Sequence, residues 1–150
     1  MSDGELDDFL ATTLARQLAA EEAIRNGDPE PRLAMWSRND PVTVLGAFKN
    51  ATGWDEVSRL FRELGSGFSN CASYRFDLIA AGVSGDLAYT VGFERSHVSI
   101  DGGPPRDMAV RVTHIYRRID GDWKLMHRHA DFPPADQRVT PVLGLIPQDG

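Results

Sequence analysis

The spacing of hydrophobic positions changes once along the chain. In the first half, apolar residues recur every three to four positions, which is typical of amphipathic helices. One long helix is predicted over roughly residues 5–26, a short one around Pro31 to Trp36, and a third from about Gly53 to Gly67. Between the second and third helices, Val42 to Gly46 has the composition of a short strand.

From Tyr74 onward the period is two, which predicts half-buried strands. Turn-forming residues divide this half into a strand that begins near Tyr74 and three more over residues 87–100, 107–119 and 122–132. We therefore expect an α+β fold in which the N-terminal helices pack on a strongly curved antiparallel or mixed sheet. A single domain is predicted, with a core of about 5–133 and a proline-containing tail over 134–150.

Composition narrows the class of protein. The chain has 150 residues and a net charge of −6, which disfavours nucleic acid and anionic membranes as partners. Its one cysteine excludes an internal disulfide, and no apolar run approaches the roughly 20 residues of a membrane helix. The N-terminus is acidic and lacks the apolar core of a signal peptide. We expect a soluble, cytoplasmic domain.

Candidate chemistry is concentrated in the last strand, in the stretch "KLMHRHADFPP". Counting outward from the Asp120-Gly121 turn places Tyr116 opposite Leu125, His114 opposite His127, and Val112 opposite His129. Residues directly opposite each other share a face of the sheet. His127 and His129 are therefore predicted to share the face of His114, and Arg128 is predicted to point away.

The preceding turn extends this face to a third strand. It predicts Phe93 opposite His114, Arg95 opposite Val112, and His97 opposite Val110. All four histidines would then lie on one mostly apolar face, as in a small-molecule pocket, whereas Glu94 falls on the other face with no assigned role. The predicted binding residues are Arg95, His97, His127, His129, Tyr116, Phe93 and, at the pocket mouth, Trp36.

Two chemical roles compete with a purely structural role for these groups. A His-x-His pair can bind a metal, but the sequence has no HExxH motif, no CxxC motif and no carboxylate cluster, so we expect no metal and no cofactor. Asp131 and His114 are the candidates for acid–base catalysis. The structural alternative for Asp131 is a cap on the strand end before Pro133.

The chain resembles the SnoaL-like branch of the nuclear-transport-factor-two-like superfamily over roughly residues 8–133. The resemblance depends on "EEAIRNGD", "GWDEVSRLF", "SGDLAYTVGFER" and "RVTHIYRRIDGDWKLMHRHAD". It implies a cone-shaped fold, usually dimeric, with the pocket between the helices and the concave face. The superfamily includes ketosteroid isomerases, polyketide cyclases, dehydratases and non-catalytic domains, so fold alone does not define function.

Two branches imply different activities. In the polyketide cyclases, residues matching His114 and Asp131 act in acid–base chemistry, although Ala130 replaces a bulky aromatic. Strict alternation also separates His114 from Asp131, so their contact would require a bulge. The association domain of calcium/calmodulin-dependent protein kinase II has a similar Trp and His-x-His, with an arginine matching Arg95, and it binds small carboxylates and oligomerises. Its two other pocket arginines correspond to His114 and Ala130.

Two hypotheses follow for the ligand and for the reaction. In the first, an isomerase, cyclase or dehydratase acts on an apolar carbonyl compound, with Asp131 moving a proton, His114 assisting, and Arg95 and the other histidines stabilising negative charge. In the second, a non-catalytic module binds a small acid or forms a homodimer. An outward-pointing Asp131 with a filled core would favour the second hypothesis.

Overall fold

Helices precede the long strands along the chain, as the change of hydrophobic period predicted. The computed structural model describes residues 3–138. Its helical elements are α1 (Asp3–Phe9), a π-helical turn (Leu10–Leu14), α2 (Ala15–Arg25), α3 (Glu30–Met35) and α4 (Trp54–Gly67). None of the helices within the described range is long and apolar enough to cross a membrane.

Six strands form one curled, open sheet in the described part of the chain. They are β1 (Thr43–Leu45), β2 (Asn50–Thr52), β3 (Phe68–Ser84), β4 (Leu87–Ile100), β5 (Arg106–Ile119) and β6 (Asp122–Asp131). The order is β2-β1-β6-β5-β4-β3, and β1 pairs with β6 in parallel while the other pairs are antiparallel. The α+β fold with a mixed sheet is therefore confirmed, although β2 was not predicted.

Local sequence explains where the helices begin and end. Gly27 has φ +96° and ends α2, as the Asn26-Gly27 pair indicated. The α4 helix starts after Gly53, whose φ is +85°, and the Trp54 N–H donates to Asp40 Oδ1 at 3.0 Å. Of the predicted C-terminal tail, residues 134–138 contain a short 3₁₀ turn (Ala135–Gln137), and residues 139–150 lie outside the described range.

The helices cover the concave face of the sheet, and the main core lies between them. Phe9 packs edge-on against Tyr116 with ring centroids 4.9 Å apart, and Trp36 packs against Phe61 at 5.0 Å. All four rings are almost fully buried. Aromatic side chains from α1, α4, β5 and the segment after α3 thus fix the helices on the sheet.

The predicted register between β5 and β6 is correct only near the turn. Tyr116 lies opposite Leu125 as expected, but a bulge follows, and Ile115 then pairs with His127. The predicted pairing of His114 with His127 is wrong, because the extra residue, Met126, shifts the strand so that Arg128 lies opposite His114. The same shift replaces the predicted Val112–His129 pair by Val112–Ala130.

The predicted register between β4 and β5 is also wrong. His97 pairs with Asp107, Arg95 with Ala109 and Phe93 with Arg111, so each partner lies three positions from the expected one. The last residues of β4 pair with the start of β3 instead, through Phe68–Ile100 and Ser69–Ser99. When the pairing register of two strands shifts by an odd number of residues, the side chains that were expected to share a face lie on opposite faces. The concave face of β4 therefore presents Glu94, and the convex face presents Arg95 and His97.

Candidate functional site

Charged side chains from three adjacent strands meet in the middle of the concave face. Glu94 of β4, His114 of β5 and Arg128 of β6 are 1%, 1% and 7% exposed. His114 and Arg128 are cross-strand partners, and the long side chain of Arg128 reaches Glu94. This is the face on which apolar residues, the four histidines and Arg95 were expected.

The helices α2 and α3 also contribute polar side chains to the middle of the concave face. Gln17, Glu21 and Arg25 are spaced four residues apart on α2, so they lie on one side of the helix, and all three are buried. Arg32 of α3 is 3% exposed and lies against them. The buried side of α2 is therefore partly ionic.

Glu94 accepts hydrogen bonds from three side chains. Arg128 donates through Nη2 to Oε1 at 2.8 Å and through Nη1 to Oε2 at 3.2 Å. Arg25 Nη2 donates to Oε1 at 2.8 Å, and the Tyr74 hydroxyl donates to Oε2 at 3.0 Å. The carboxylate of Glu94 on β4 thus connects β6, β3 and α2.

Glu21 connects the two helices to this cluster. It accepts from Arg25 Nη1 at 2.9 Å, from Arg32 Nε at 3.0 Å and, in a very short contact, from Arg32 Nη2. Arg128 Nη1 lies 3.8 Å from Glu21 Oε1. We call Glu21, Arg25, Arg32, Glu94 and Arg128 the buried ion network.

The buried ion network carries one net positive charge, because three guanidinium groups face two carboxylates. Burial tends to raise the pKa of Glu21, but Arg32, together with Arg128 and Arg25, lowers it to about 2. Burial opposes ionisation of Glu94 in the same way, yet Arg128 and Arg25 hold its pKa well below its usual value. Burial lowers the pKa of Arg32, and Glu21 only partly offsets this effect.

His114 adjoins the network as a neutral base. Its Nε2 lies 3.1 Å from Arg128 Nη1, and because arginine can only donate, Nε2 is the acceptor. Burial, and then the charge of Arg128, lower the pKa of His114 to about 3. Its Nδ1 is buried and has no hydrogen-bond partner in the described part of the chain.

A cavity of about 40 Å³ lies beside the network. Its charged lining residues are Arg25, Arg32 and Arg128 of the network, together with Lys49. The other walls come from β1, α4 and the inner face of the sheet, and they are mainly apolar: Val44, Ala47, Phe48, Leu60, Leu64, Phe68, Met108 and Val110. Apolar walls with a few convergent polar groups are typical of a ligand site.

The residues predicted at the pocket from β4 lie on the convex face. Arg95 donates to Asp77 Oδ2 at 2.9 Å and lies over the Phe93 ring at 4.9 Å. His97 contacts Asp107 at 2.8 Å and is exposed. These three residues therefore do not meet the buried ion network.

The predicted residues of β6 also lie on the convex face. Arg111 donates two hydrogen bonds to Asp131, at 2.8 and 2.9 Å, and these bonds lower the pKa of that carboxyl. The His127 and His129 rings are 6.5 Å apart, and His127 Nδ1 contacts Thr43 Oγ1 at 2.7 Å. Asp131 thus lies on the opposite side of the sheet from His114, and the catalytic roles predicted for both stay predictions.

The last two predicted residues belong to the core. Tyr116 is fully buried against Phe9, and Trp36 is 2% exposed against Phe61. Neither lines the cavity beside the network. Within residues 3–138, no three histidine, cysteine, aspartate or glutamate side chains lie close enough to share a metal ion.

Sequence reasoning missed most of the network, and two signals could have identified it. The spacing of Gln17, Glu21 and Arg25 puts a polar stripe beside the apolar positions of α2, which suits a partly buried ionic side. Glu94 is the one acidic residue within the otherwise apolar and basic strand "YTVGFERSHV". A buried strand rarely contains a carboxylate without a partner.

Comparison with known proteins agrees with the fold. The profile of the SnoaL-like domain matches residues 15–135. The chain belongs to the SnoaL-like domain family. No curated protein matches the sequence significantly.

Solved structures share the fold of this SnoaL-like domain at low sequence identity. A nuclear transport factor 2-like superfamily protein from Salmonella enterica superposes with a TM-score of 0.73 at 16% identity, covering 89% of this chain and 94% of that one. A protein from Streptomyces avermitilis, provisionally named a dehydratase, gives 0.65 at 24% identity, with 86% and 99% coverage. A protein from Thiobacillus denitrificans, provisionally named a calcium/calmodulin-dependent protein kinase type II association domain, gives 0.61 at 19% identity, with 89% and 96% coverage. These identities support the shared fold and no specific activity.

Proposed function

We propose that this SnoaL-like domain binds a small organic anion, most simply a carboxylate, in the cavity beside the buried ion network. The supporting observation is the excess of one positive charge among buried groups that line a cavity. A buried charge without a counter-charge costs several kcal/mol. A bound anion would balance it.

Hydrogen-bonding capacity points to the same ligand. Arg25 Nε is buried and has no acceptor in the described residues. Within the same range, Arg32 bonds only through Nε and Nη2, and Arg128 only through Nη1 and Nη2. Arg32 and Arg128 therefore each keep an N–H group without a protein acceptor, and one carboxylate can accept from both.

These contacts give less support to the first hypothesis, that of an enzyme using acid–base catalysis. A general acid or base needs to face the substrate with a pKa near the working pH. Asp131 is outside the cavity in an ion pair with Arg111, and the pKa of His114 is lowered to about 3. We therefore favour the hypothesis of a non-catalytic module that binds a small acid, with Arg25, Arg32 and Arg128 in the role first assigned to Arg95.

Titration calorimetry with propionate tests the proposed site. Arg32→Gln removes the net positive charge of the network, and we expect propionate affinity to fall at least tenfold. Arg32→Lys keeps the charge and should retain most of the binding, which separates electrostatics from a general loss of structure. Arg111→Gln on the convex face is the matched control. Equal affinities for the Arg32→Gln and Arg111→Gln variants would contradict the proposal.

We also propose that the domain forms a homodimer through the convex face. Leu87 and Tyr89 are 46% and 44% exposed there, and they border an almost wholly apolar depression with Val83 and Ile115. Contiguous exposed apolar area favours association. Light scattering should give the mass of a dimer for the native chain and of a monomer for Leu87→Lys, and a native monomer would contradict this proposal.

A further inference from the structure

We propose that the natural ligand is an anion with an apolar chain of several carbons, whose chain leaves the cavity beside Phe48 and lies in a neighbouring groove. This inference rests on the proposed anion site and adds the class of molecule that it would accept. The argument depends on the size of the cavity, on its connection to the groove, and on the composition of both.

The cavity beside the network is too small for a long ligand. Its volume of about 40 Å³ is the space open to the centres of water-sized groups. On this scale one water needs roughly 10–15 Å³, so about three such groups fit. A carboxylate with one or two attached carbons fills that space, and a longer chain has to continue elsewhere.

A groove of about 280 Å³ adjoins the cavity on the side away from the arginines. The cavity and the groove share five lining residues: Phe48, Lys49, Leu60, Leu64 and Phe68. The groove continues past them to Gly67 and Ile100, at the end of α4 and the end of β4. An apolar route therefore leads from the arginines toward the surface.

Phe48 stands where the two spaces meet. It lies in the turn between β1 and β2, which Gly46 N and Lys49 O close with a 3.0 Å hydrogen bond. Its side chain is 46% exposed, and its ring packs edge-on against Phe68 at 6.2 Å and Phe132 at 5.5 Å. The half-exposed ring of Phe48 thus forms part of the boundary between the cavity and the groove.

The charges near the groove suit an amphiphilic molecule. The charged groups that line the groove are Lys49, Glu63 and Asp101, and Lys49 pairs with Glu63 at 2.9 Å in an exposed ion pair. The uncompensated positive charge is at the inner end, with Arg25, Arg32 and Arg128. A ligand with its anionic group inside and its apolar chain in the groove matches this polarity.

Calorimetry with straight-chain carboxylates from acetate to octanoate tests this inference. Each methylene that enters the groove should raise affinity about two- to fourfold, as expected for partly to fully buried methylenes. Ile100→Thr shortens an apolar side chain of the groove and places a hydroxyl there, and it should flatten this dependence on chain length. Leu45→Thr on the convex face, where the side chain is 43% exposed beside His129, is the matched control and should leave the whole series unchanged.

The possible outcomes separate the two proposals. Carboxylate affinities that do not change with chain length would overturn the groove and leave the anion site standing. The same holds if Ile100→Thr and Leu45→Thr behave alike. If no member of the series binds, both proposals are wrong. If octanol binds as tightly as octanoate, the groove accepts the chain but the anion site is wrong.

Discussion

The concave and convex faces of the sheet each hold an arginine–carboxylate pair at the same distance. Arg128 and Glu94 approach to 2.8 Å on the concave face, with side chains 9% and 0% exposed. Arg111 and Asp131 approach to 2.8 Å on the convex face, with side chains 43% and 49% exposed. The two pairs have the same shortest distance but differ in access to water and in the number of further partners, which are Arg25 and Tyr74 for Glu94.

This difference determines which pair can serve a function. Water screens the convex pair, and exposed pairs of this kind contribute about 0–1 kcal/mol. The concave pair belongs to a network in which every charge depends on its partners, because none can be solvated. The concave network combines buried charges, an excess of one positive charge and an adjoining cavity.

The largest expected effect comes from removing one carboxylate on each face. Glu94→Gln leaves Arg128 and Arg25 without their shared counter-charge, and we expect the free energy of unfolding to fall by about 3–5 kcal/mol. Asp131→Asn should lower it by less than about 1 kcal/mol. Urea denaturation of both variants measures the contrast. Similar losses in the two variants would show that burial does not distinguish the faces.

A smaller effect is expected from the hydroxyl that supports the network. Tyr74 donates to Glu94 Oε2 at 3.0 Å, and a hydrogen bond to a charged group contributes about 1.5–3 kcal/mol. Tyr74→Phe should lower the free energy of unfolding by that amount. Tyr89→Phe, on the half-exposed convex face, should change it by almost nothing. A loss in Tyr89→Phe as large as that in Tyr74→Phe would contradict the comparison.

Most of the fold could be predicted from the sequence because all α-helices and all strands except β2 have a local signal. Hydrophobic period distinguishes helices from strands, and the Asp120-Gly121 turn fixes the start of the last hairpin. The pairing of Tyr116 with Leu125 was correct for this reason. The strand β2 was missed because its three residues, Asn50–Thr52, are too few to show a period.

The site could not be predicted because it depends on two shifts that leave no local signal. Met126 looks like an ordinary alternating residue, yet as the extra residue of the bulge it turns Arg128 inward and His127 outward. The wide connection between β4 and β5, which begins after the Val98–Arg106 pair, sets their register and lacks the signal of a two-residue turn. Because of these two shifts, the concave face carries the buried ion network and not the predicted cluster of four histidines.

The smallest predicted effect concerns the pH dependence of stability. The pKa of His114 is about 3 in the fold and 6.5 ordinarily, so below pH 6.5 the unfolded chain binds a proton that the folded chain does not. Stability should therefore fall as the pH falls, by about 1.5 kcal/mol between pH 6.5 and 5, before Glu21 begins to titrate in the unfolded chain.

His114→Gln should remove most of this slope in urea denaturation at several pH values. His127→Gln is the control on the convex face. Partial burial, and then the neighbouring His129, also lower the pKa of His127, but its side chain is more accessible. We therefore expect His127→Gln to remove a smaller part of the slope. An unchanged slope in His114→Gln would show that this imidazole is not held neutral by its surroundings.

The central claim is that the buried ion network attracts an anion through its net positive charge. Calorimetry of the unaltered protein with propionate and with propionamide tests it most directly, because the two molecules have almost the same shape and differ in charge. We predict that propionate binds at least tenfold more tightly than propionamide, and that its affinity decreases when salt is added. Equal affinities for the two compounds, or no binding of propionate, would contradict the account.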